Sequence, residues 1–249
     1  MILEGSISVK AAILGNRRNV SELYVDEKRR DKESAFIIAR AEAAGIPVYR
    51  IARSEIDALA SGKTHGGILC EAGPRVYDDL SVLSDAANPF LVVLEGVEDP
   101  FNLGYVIRAL YSGGCTGLVI GSRSWESADA VILKSSAGAY DCLPIVMSED
   151  PASVIASCRT RGIHAYAAMR RDATPCYEMD FTGPVLLAIG GEMRGLSASV
   201  LKECEANIYI PYANDFRNAL NAAGASAVLG FEVLRQRRYA QGGKADGTH

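Results

Sequence analysis

The fold of this 249-residue chain is decided near its carboxyl end, where residues 208–238 read IYIPYANDFRNALNAAGASAVLGFEVLRQRR. A short apolar run stops at Pro211, a polar loop follows, and the pattern then predicts a long helix over residues 216–238. Between positions 219 and 227 nearly every residue is Ala, Gly or Ser. Because Gly and Ser lower helix propensity, their presence favours close approach of another backbone, either within the domain or from a partner subunit.

Short, nearly continuous apolar runs lead up to this segment from residue 90. They read FLVVLEGV, GLVIG, LPIVM, HAYAAM, PVLLAIGG and NIYIPY, and helices are predicted between them over 100–112, 126–137, 150–161 and 197–204. Such runs are typical of parallel strands that are buried on both faces. We therefore predict an α/β domain with a mainly parallel sheet over residues 90–240.

The first 75 residues predict a separate, small α/β unit. Short apolar stretches surround the segment DKESAFIIARAEAAG, whose apolar residues recur at helical spacing until Gly45 ends the helix. Residues 76–89 are turn-rich and polar, as expected of a linker. The tail 241–249 has nothing to bury, so we expect it to be disordered.

Composition limits the classes of function. With 49% hydrophobic and 22% charged residues the chain has the composition of a soluble globular protein. No apolar run approaches the roughly 18 residues of a membrane span, and the amino-terminal segment lacks the pattern of a signal peptide. We therefore expect a cytoplasmic protein without a membrane partner. The net charge is −4, but basic clusters at 16–18, 28–32, 170–171 and 235–238 suit either phosphate contact or a solvated face.

Two further classes of site are disfavoured. The six cysteines lie far apart, without a CxxC pair or neighbouring histidines, so we predict reduced thiols and no metal site. Only three histidines occur, which leaves few candidates for histidine-centred catalysis. No GxxxxGK[ST] sequence occurs, and no GxGxxG follows the first strand of the second domain, which disfavours ordinary nucleotide-binding loops.

A glycine turn late in the second domain is a candidate ligand site. The segment LLAIGGEMRGLS, residues 186–197, predicts a buried strand, a turn that carries Glu192, and a helix. Ligands of α/β sheets bind at the carboxyl ends of strands, and glycine lets backbone approach a ligand closely. A simple tight connection would give the same pattern, so this segment alone leaves both interpretations open.

The segment EDPFNLGYVIRALYSGG, residues 98–114, predicts an amphipathic helix with one arginine. Asp99 or Asn102 is a suitable N-cap for this helix, and Pro100 is tolerated in a first helical turn. The apolar residues form one stripe, and Arg108 lies about 140° away from Leu103 around the helix axis. Periodicity therefore places Arg108 off the core, as a solvated charge, in a cleft or at a subunit interface.

Three segments in the same order together resemble the motifs of the SpoU (TrmH) family of RNA ribose 2′-O-methyltransferases, within the SPOUT class. NLGYVIRAL resembles the first motif, AIGGEMRGLS the second and IPYANDFRNALNAAGASAVLGFEV the third. KSSAGAYDCLPI, residues 134–145, resembles a family segment between the first and second motifs. The first 75 residues resemble the small ribosomal-protein-like RNA-binding domain that is often fused ahead of SpoU domains.

The resemblance implies a fold, a cofactor and an assembly. The expected fold is an α/β SPOUT domain with a deep trefoil knot and a mainly parallel sheet, preceded by the small substrate-binding domain. S-adenosylmethionine is expected to bind in the knot, and an obligate homodimer is expected to build each active site from both chains. The cofactor-binding residues implied by the motifs are Ile189, Gly190, Gly191, Gly195, Ile210, Pro211, Ala219 and Leu220.

The catalytic residues implied by the resemblance are Arg108, Asn102, Glu192 and Asn221. The family assigns deprotonation of the ribose hydroxyl to the first-motif arginine, but an arginine is ordinarily always charged. Our preferred hypothesis is that Arg108 binds the neighbouring RNA phosphate and stabilises developing alkoxide charge. Ala219 departs from the serine that is usual in the third motif, which removes one hydroxyl from the site.

The sequence therefore predicts an S-adenosylmethionine-dependent RNA ribose 2′-O-methyltransferase that acts on ribosomal RNA. Transfer RNA is the alternative substrate. A catalytically impaired RNA-binding protein that retains the knot is a second alternative, supported by Ala219. A small-molecule methyltransferase is a third, and it would not need residues 1–75.

Overall fold

The computed structural model describes residues 1–191, 194–216 and 218–240. Within them the elements are, in chain order, β1 (Ile2–Glu4), α1 (Ser6–Gly15), β2 (Val20–Asp26), α2 (Lys32–Ala43), β3 (Val48–Ile51), α3 (Arg53–Leu59), β4 (Ile68–Ala72), β5 (Phe90–Glu95), α4 (Pro100–Ser112), β6 (Gly117–Gly121), α5 (Asp129–Ser135), α6 (Ala139–Cys142), β7 (Ile145–Ser148), α7 (Pro151–Thr160), β8 (His164–Ala168), β9 (Ala173–Pro175), β10 (Val185–Gly190), α8 (Ala198–Glu203), β11 (Ala206–Tyr209) and α9 (Ala222–Ala240). Short 3-10 helices cover Leu80–Ser84, Glu126–Ala128 and Cys176–Glu178.

The chain forms two compact units. The first contains Met1–Tyr77 together with Ser124–Cys142, and the second contains Asp78–Arg123 and the chain from Leu143 onward. Residues 124–142, which the sequence analysis placed in the second domain, thus pack with the amino-terminal residues. A 3-10 helix lies within the segment 76–89, which was predicted to be a linker. The tail predicted to be disordered, 241–249, lies outside the described residues.

The first unit is built on a four-stranded sheet in the order β1-β4-β2-β3. β2 and β3 run parallel, whereas β4 is antiparallel to both β1 and β2. Helix α2 begins where Asp31 accepts a hydrogen bond from the Ser34 amide at 2.9 Å, and Gly45 with φ 73° follows its end. The apolar residues AAILG at 11–15 belong to the carboxyl-terminal half of α1.

The second unit contains a seven-stranded sheet in the order β7-β6-β5-β10-β8-β11-β9, in which every adjacent pair is parallel. The central strands β5 and β10 are buried over five of their six residues each. The α/β class, the mainly parallel sheet and the small preceding domain are therefore confirmed. The strand order brings the carboxyl ends of β10, β8 and β11 side by side.

Helix α4 matches its predicted bounds of 100–112. Asp99 is its N-cap and accepts a hydrogen bond from the Asn102 amide at 3.0 Å, with Pro100 in the first turn. Its core stripe is buried and Arg108 is exposed, as the helical periodicity predicts.

Helix α4 packs against α9 through glycines. A Cβ atom built on Gly113 would lie 2.9 Å from the carbonyl carbon of Gly230, too close for any side chain. The close backbone approach between α4 and α9 is thus made at Gly230, just beyond the predicted run 219–227, and it lies within the domain.

Helix α9 begins at Ala222, so the predicted start at residue 216 was wrong. Backbone groups of Phe216, Asn218 and Leu220 have other partners. Arg170 donates hydrogen bonds to the carbonyl oxygens of Phe216 and Asn218 at 3.4 and 3.3 Å. The hydroxyl of Tyr212 accepts a hydrogen bond from the Leu220 amide at 2.8 Å. These contacts hold the segment as a loop that the amphipathic pattern did not reveal.

The helix predicted over 126–137 is also divided. It begins as a 3-10 turn, continues as α5, and ends where Ala137 and Gly138 adopt φ values of 50° and 86°. A positive φ breaks the helical hydrogen-bond pattern, so the chain restarts as the short α6.

Candidate functional site

A cavity of about 570 Å³ lies where β8, β10 and β11 end and α9 begins. This is the edge of a parallel sheet at which ligands bind, and the volume is within the range of cofactor sites. The residues that line it are Ala168, Met169, Arg170, Ile189, Gly190, Gly191, Gly195, Leu196, Ile208, Tyr209, Ile210, Tyr212, Ala219, Leu220, Asn221, Ala222, Ala225 and Leu229.

Glycines shape one wall of this cavity. A Cβ atom on Gly190 would lie 2.6 Å from the carbonyl carbon of Gly195, and one on Gly191 would overlap the Gly96 carbonyl. The Gly191 amide donates to the Glu95 carbonyl at 2.6 Å, and the Glu95 carboxylate accepts from the Ser197 amide at 2.7 Å. The turn is therefore pressed against the end of β5, and only glycine permits this packing.

The opposite wall is a loop held by side chains. The guanidinium of Arg170 lies 4.2 Å from the centre of the Tyr212 ring, a cation–π distance. Asn221 accepts a hydrogen bond from the Gly224 amide at 2.8 Å and so caps the first turn of α9. The loop that presents Ala219 and Leu220 to the cavity is thus fixed at both ends.

Most of the predicted cofactor residues line this cavity. Those that do so are Ile189, Gly190, Gly191, Gly195, Ile210, Ala219 and Leu220, and the predicted catalytic Asn221 lines it as well. Pro211 is not among the lining residues. Glu192 lies outside the described residues.

Arg108 and Asn102 are not brought to this cavity within one chain. Arg108 instead borders a shallow groove of about 360 Å³ between α4 and α9, whose other lining residues are Tyr105, Ala109, Ser112, Ala223, Ala227 and Phe231. No hydrogen bond or ion pair joins Arg108 to another of the residues that the structure describes, and it is exposed. Tyr105 and Phe231 are about half exposed beside it.

Polar residues in the carboxyl-terminal half of α9 make several hydrogen bonds that hold this part of the helix in place. Glu232 accepts hydrogen bonds from both Arg235 and Gln236 at 2.8 Å, and the bond from Arg235 holds the pKa of Glu232 below its ordinary value. Arg237 donates to four backbone carbonyls, of residues Asn88, Pro89, Phe181 and Gly183. Of the basic cluster 235–238, Arg237 therefore holds α9 against the rest of the domain, whereas Arg235 pairs with Glu232 within the helix.

Sequence reasoning missed the contribution of β8 and the residues after it. Ala168, Met169 and Arg170 line the cavity because β8 lies between β10 and β11 in the sheet. The only signal in the sequence was the basic pair at 170–171 directly after an apolar run. Whether this pair lies at the cavity depends on strand order, and no local sequence pattern encodes strand order.

Neither a cluster of metal-ligating side chains nor a membrane-spanning helix occurs in the part of the chain that the structure describes. No group of three or more His, Cys, Asp or Glu side chains in residues 1–191, 194–216 and 218–240 is arranged to hold a metal ion. None of the helices in those same ranges is long and apolar enough to cross a bilayer. All six cysteines are free thiols, four of them buried.

Comparison with known families identifies the chain. Residues 89–231 match the model of the SpoU rRNA methylase family, and residues 2–77 match the model for RNA 2′-O ribose methyltransferase substrate binding. The chain belongs to the SpoU rRNA methylase family. The resemblance inferred from the three sequence motifs is therefore confirmed.

Relatives of this SpoU protein cover nearly its whole length. It is 30% identical over 238 residues to the 23S rRNA (guanosine-2′-O-)-methyltransferase RlmB of Xylella fastidiosa, covering 94% of this chain and 95% of that protein. Among solved structures it is similar to the SpoU methyltransferase AviRb from Streptomyces viridochromogenes in complex with AdoMet, with a TM-score of 0.76 and 23% identity over 96% of this chain and 91% of that one. An AdoMet-bound rRNA methyltransferase from Sinorhizobium meliloti gives a TM-score of 0.74 at 23% identity, covering 94% and 86%.

SpoU methyltransferases use S-adenosylmethionine, and the cavity fits that cofactor. An adenosine moiety needs a flat apolar slot with close backbone approach, and Ile189, Leu196 and Leu229 supply the apolar surface. Gly190 and Gly191 carry no side chain that would fill the slot. The cavity is also open on the side of Arg170 and Tyr212, where an RNA substrate can approach.

Proposed function

We propose that this protein transfers a methyl group from S-adenosylmethionine to a ribose 2′-hydroxyl of 23S ribosomal RNA. The observation that carries the proposal is the cavity at the ends of β8, β10 and β11, which gathers residues of the second and third family motifs. The ribosomal substrate is supported by the relatives named RlmB, which match almost the entire chain. The amino-terminal domain, of a substrate-binding family, would hold the RNA.

The active form is a homodimer in this proposal. Three aromatic side chains, Phe101, Tyr105 and Phe231, are about half exposed on α4 and α9, on the side where Arg108 emerges. An apolar patch of this kind on a soluble protein is typical of an interface. A second copy that covers this face would place Arg108 beside its partner's cofactor cavity, which one chain alone does not do.

The catalytic roles follow from the chemistry of the side chains. The bound cofactor supplies an electrophilic methyl group on a sulfonium. Arg108 would bind the phosphate next to the target ribose and stabilise negative charge on the 2′-oxygen as its proton passes to solvent water. Asn102 and Glu192 would order Arg108 or the loop around it, and Asn221 would hold the third-motif loop by capping α9.

The carboxyl-terminal part of the domain forms a deep trefoil knot in this proposal, and the protein works in the cytoplasm without a metal. The knot is supported by the sequence motifs that resemble those of the knotted SPOUT class, and residues of the second and third motifs line the cavity. Methyl transfer to an alkoxide needs no metal when a guanidinium stabilises the charge.

Transfer of tritium from labelled S-adenosylmethionine tests the proposal. Purified protein is incubated with unmodified 23S ribosomal RNA or with unmodified transfer RNA, and the modified nucleotide is mapped. Label on a ribose of 23S RNA supports the proposal. Label only on transfer RNA would show that transfer RNA is the substrate instead. Cofactor binding without transfer to either RNA would indicate an impaired enzyme, consistent with Ala219.

A further inference from the structure

A second hollow adjoins the cofactor cavity. It has a volume of about 620 Å³ and is bordered by the loop residues Asn214, Asp215 and Phe216. Arg170, Tyr209, Ile210 and Tyr212 line both hollows, so the two are continuous. The second hollow lies within the same unit of the chain and is more open to solvent than the first.

Phe216 is the distinctive residue of this second hollow. Its side chain is 57% exposed, although it is large and apolar. Its ring stacks with that of Tyr212, with centres 6.4 Å apart and planes inclined by 29°. Arg170 lies 4.2 Å from the Tyr212 ring, so two aromatic rings and one guanidinium form a continuous surface. We call Arg170, Tyr212 and Phe216 the aromatic platform.

The aromatic platform is held in place by its own backbone contacts. Asn214 accepts a hydrogen bond from the Phe216 amide at 3.1 Å, and Arg170 donates to the Phe216 carbonyl at 3.4 Å. Tyr212 is fixed by its hydroxyl, which accepts from the Leu220 amide. An exposed aromatic ring held by such contacts is preorganised for a flat ligand, because little freedom is lost on binding.

We propose that the aromatic platform stacks against the base of the nucleotide whose ribose is methylated. This inference rests on the proposed function. The reacting ribose must reach the mouth of the cofactor cavity, and its own base is attached to the same sugar, within reach of the adjoining hollow. Unpaired RNA bases stack on aromatic rings and guanidinium planes, and the aromatic platform offers both. Because every base has a π face, the platform holds the base without selecting its identity.

Kinetics of three Phe216 variants test the platform. The variants are Phe216→Ala, Phe216→Leu and Phe216→Trp, with Tyr177→Ala as the matched control, since Tyr177 is a similarly exposed aromatic outside both hollows. With 23S ribosomal RNA as substrate, we expect Phe216→Ala and Phe216→Leu to raise KM for RNA by roughly 5- to 150-fold, the range of one lost base–aromatic stack. Phe216→Trp and Tyr177→Ala should keep the wild-type KM. Calorimetric affinity for S-adenosylmethionine should be unchanged in all four.

Fluorescence gives a direct readout of stacking. Wild-type protein contains a single tryptophan, Trp125, which is buried. Addition of RNA to the Phe216→Trp variant should quench the emission that this substitution contributes, because a stacked base quenches an indole. Wild-type KM in Phe216→Leu, or no quenching in Phe216→Trp, would overturn the platform while wild-type methyl transfer leaves the proposed function intact. Absence of transfer by the wild-type protein would instead remove the proposed function and the platform with it.

Discussion

The Nε atom of Arg18 lies 2.7 Å from a carboxylate oxygen of Asp141, although 123 positions separate the two residues in the chain. The same guanidinium binds Asp129 at 2.8 and 3.1 Å, and all three side chains are at most 2% exposed. Arg75 donates a hydrogen bond from its backbone amide to the Asp129 carboxylate and one from its guanidinium to the Tyr140 carbonyl. This buried cluster of charges fastens residues 124–142 to the amino-terminal residues within the first unit.

Replacement of Arg18 by methionine should strongly destabilise the protein. It removes one cation and leaves two carboxylates buried together, and breaking a buried ion pair costs about 3–5 kcal/mol. Urea unfolding should show that loss in the free energy of unfolding, whereas Arg30→Ala, at a surface position, should change it little. A loss below about 1 kcal/mol for Arg18→Met would mean that water reaches the two carboxylates.

Arg237 and Arg238 should differ in their effect on stability although they are neighbours. Arg237 donates to four backbone carbonyls near the start of β5 and β10, whereas Arg238 is exposed. Hydrogen bonds from a charged donor contribute about 1.5–3 kcal/mol each when a buried acceptor depends on them, so Arg237→Ala should cost at least ~2 kcal/mol. Arg238→Ala, measured by the same thermal unfolding, is the control. Equal effects would contradict the structural role of Arg237.

Stability should depend on the charge of Glu232. Its hydrogen bond from Arg235 lowers the pKa of the folded protein's carboxylate below the ordinary 4.5, so its contribution is fully present above that pH. As the pH falls below 4.5 toward the folded pKa, the contribution is lost. Glu232→Gln should therefore flatten the decline of the free energy of unfolding below pH 4.5, with Glu178→Gln as a control on the same unit. An identical pH profile in the Glu232→Gln variant would show that the pair contributes nothing.

The sequence predicted the parts of this fold that depend on neighbouring residues. Helix α4 was predicted to its ends because Asp99 and Pro100 start it locally and its apolar stripe has the helical period. The adjacency of β8 and β10 was not predictable, because pairing between distant strands is decided by packing of the whole sheet. The start of α9 was missed for a similar reason. Arg170, distant in the sequence, binds the Phe216 carbonyl, and the Tyr212 hydroxyl binds the Leu220 amide across a loop.

The residues of the candidate site also divide into those with a local sequence pattern and those placed by distant parts of the chain. The strand followed by a glycine turn has a local pattern, but that pattern alone also fits a simple tight connection, and the family motif was needed to assign Gly190, Gly191 and Gly195 to the cofactor. The structure places all three on the cavity. Arg170 has no such pattern. Its position is a consequence of strand order, and its contact with Tyr212 depends on a loop that folds back over the end of the sheet.

Ser226 should tolerate loss of its hydroxyl. It is fully buried in α9, and its Oγ atom has no hydrogen-bond partner among the residues that the structure describes. An unpaired buried hydroxyl is unfavourable, and alanine has a higher helix propensity, so Ser226→Ala should raise the free energy of unfolding by about 0.5–1.5 kcal/mol. Thermal unfolding and methyl transfer are measured together. Loss of activity with unchanged stability would show instead that the hydroxyl serves a bound ligand.

Mixing two inactive variants should restore methyl transfer if the active site is shared between subunits. Arg108→Ala removes the arginine but keeps the cavity, and Ala225→Phe fills the cavity but keeps the arginine. A mixed dimer would combine the intact cavity of one chain with the Arg108 of the other. After random subunit exchange of equal amounts, half of the dimers are mixed and each has one working site, so about one quarter of wild-type activity is expected. Tritium transfer to 23S RNA measures it, and each variant is checked alone for folding and dimer formation. A mixture as inactive as its components would show that Arg108 serves the cavity of its own chain, or none.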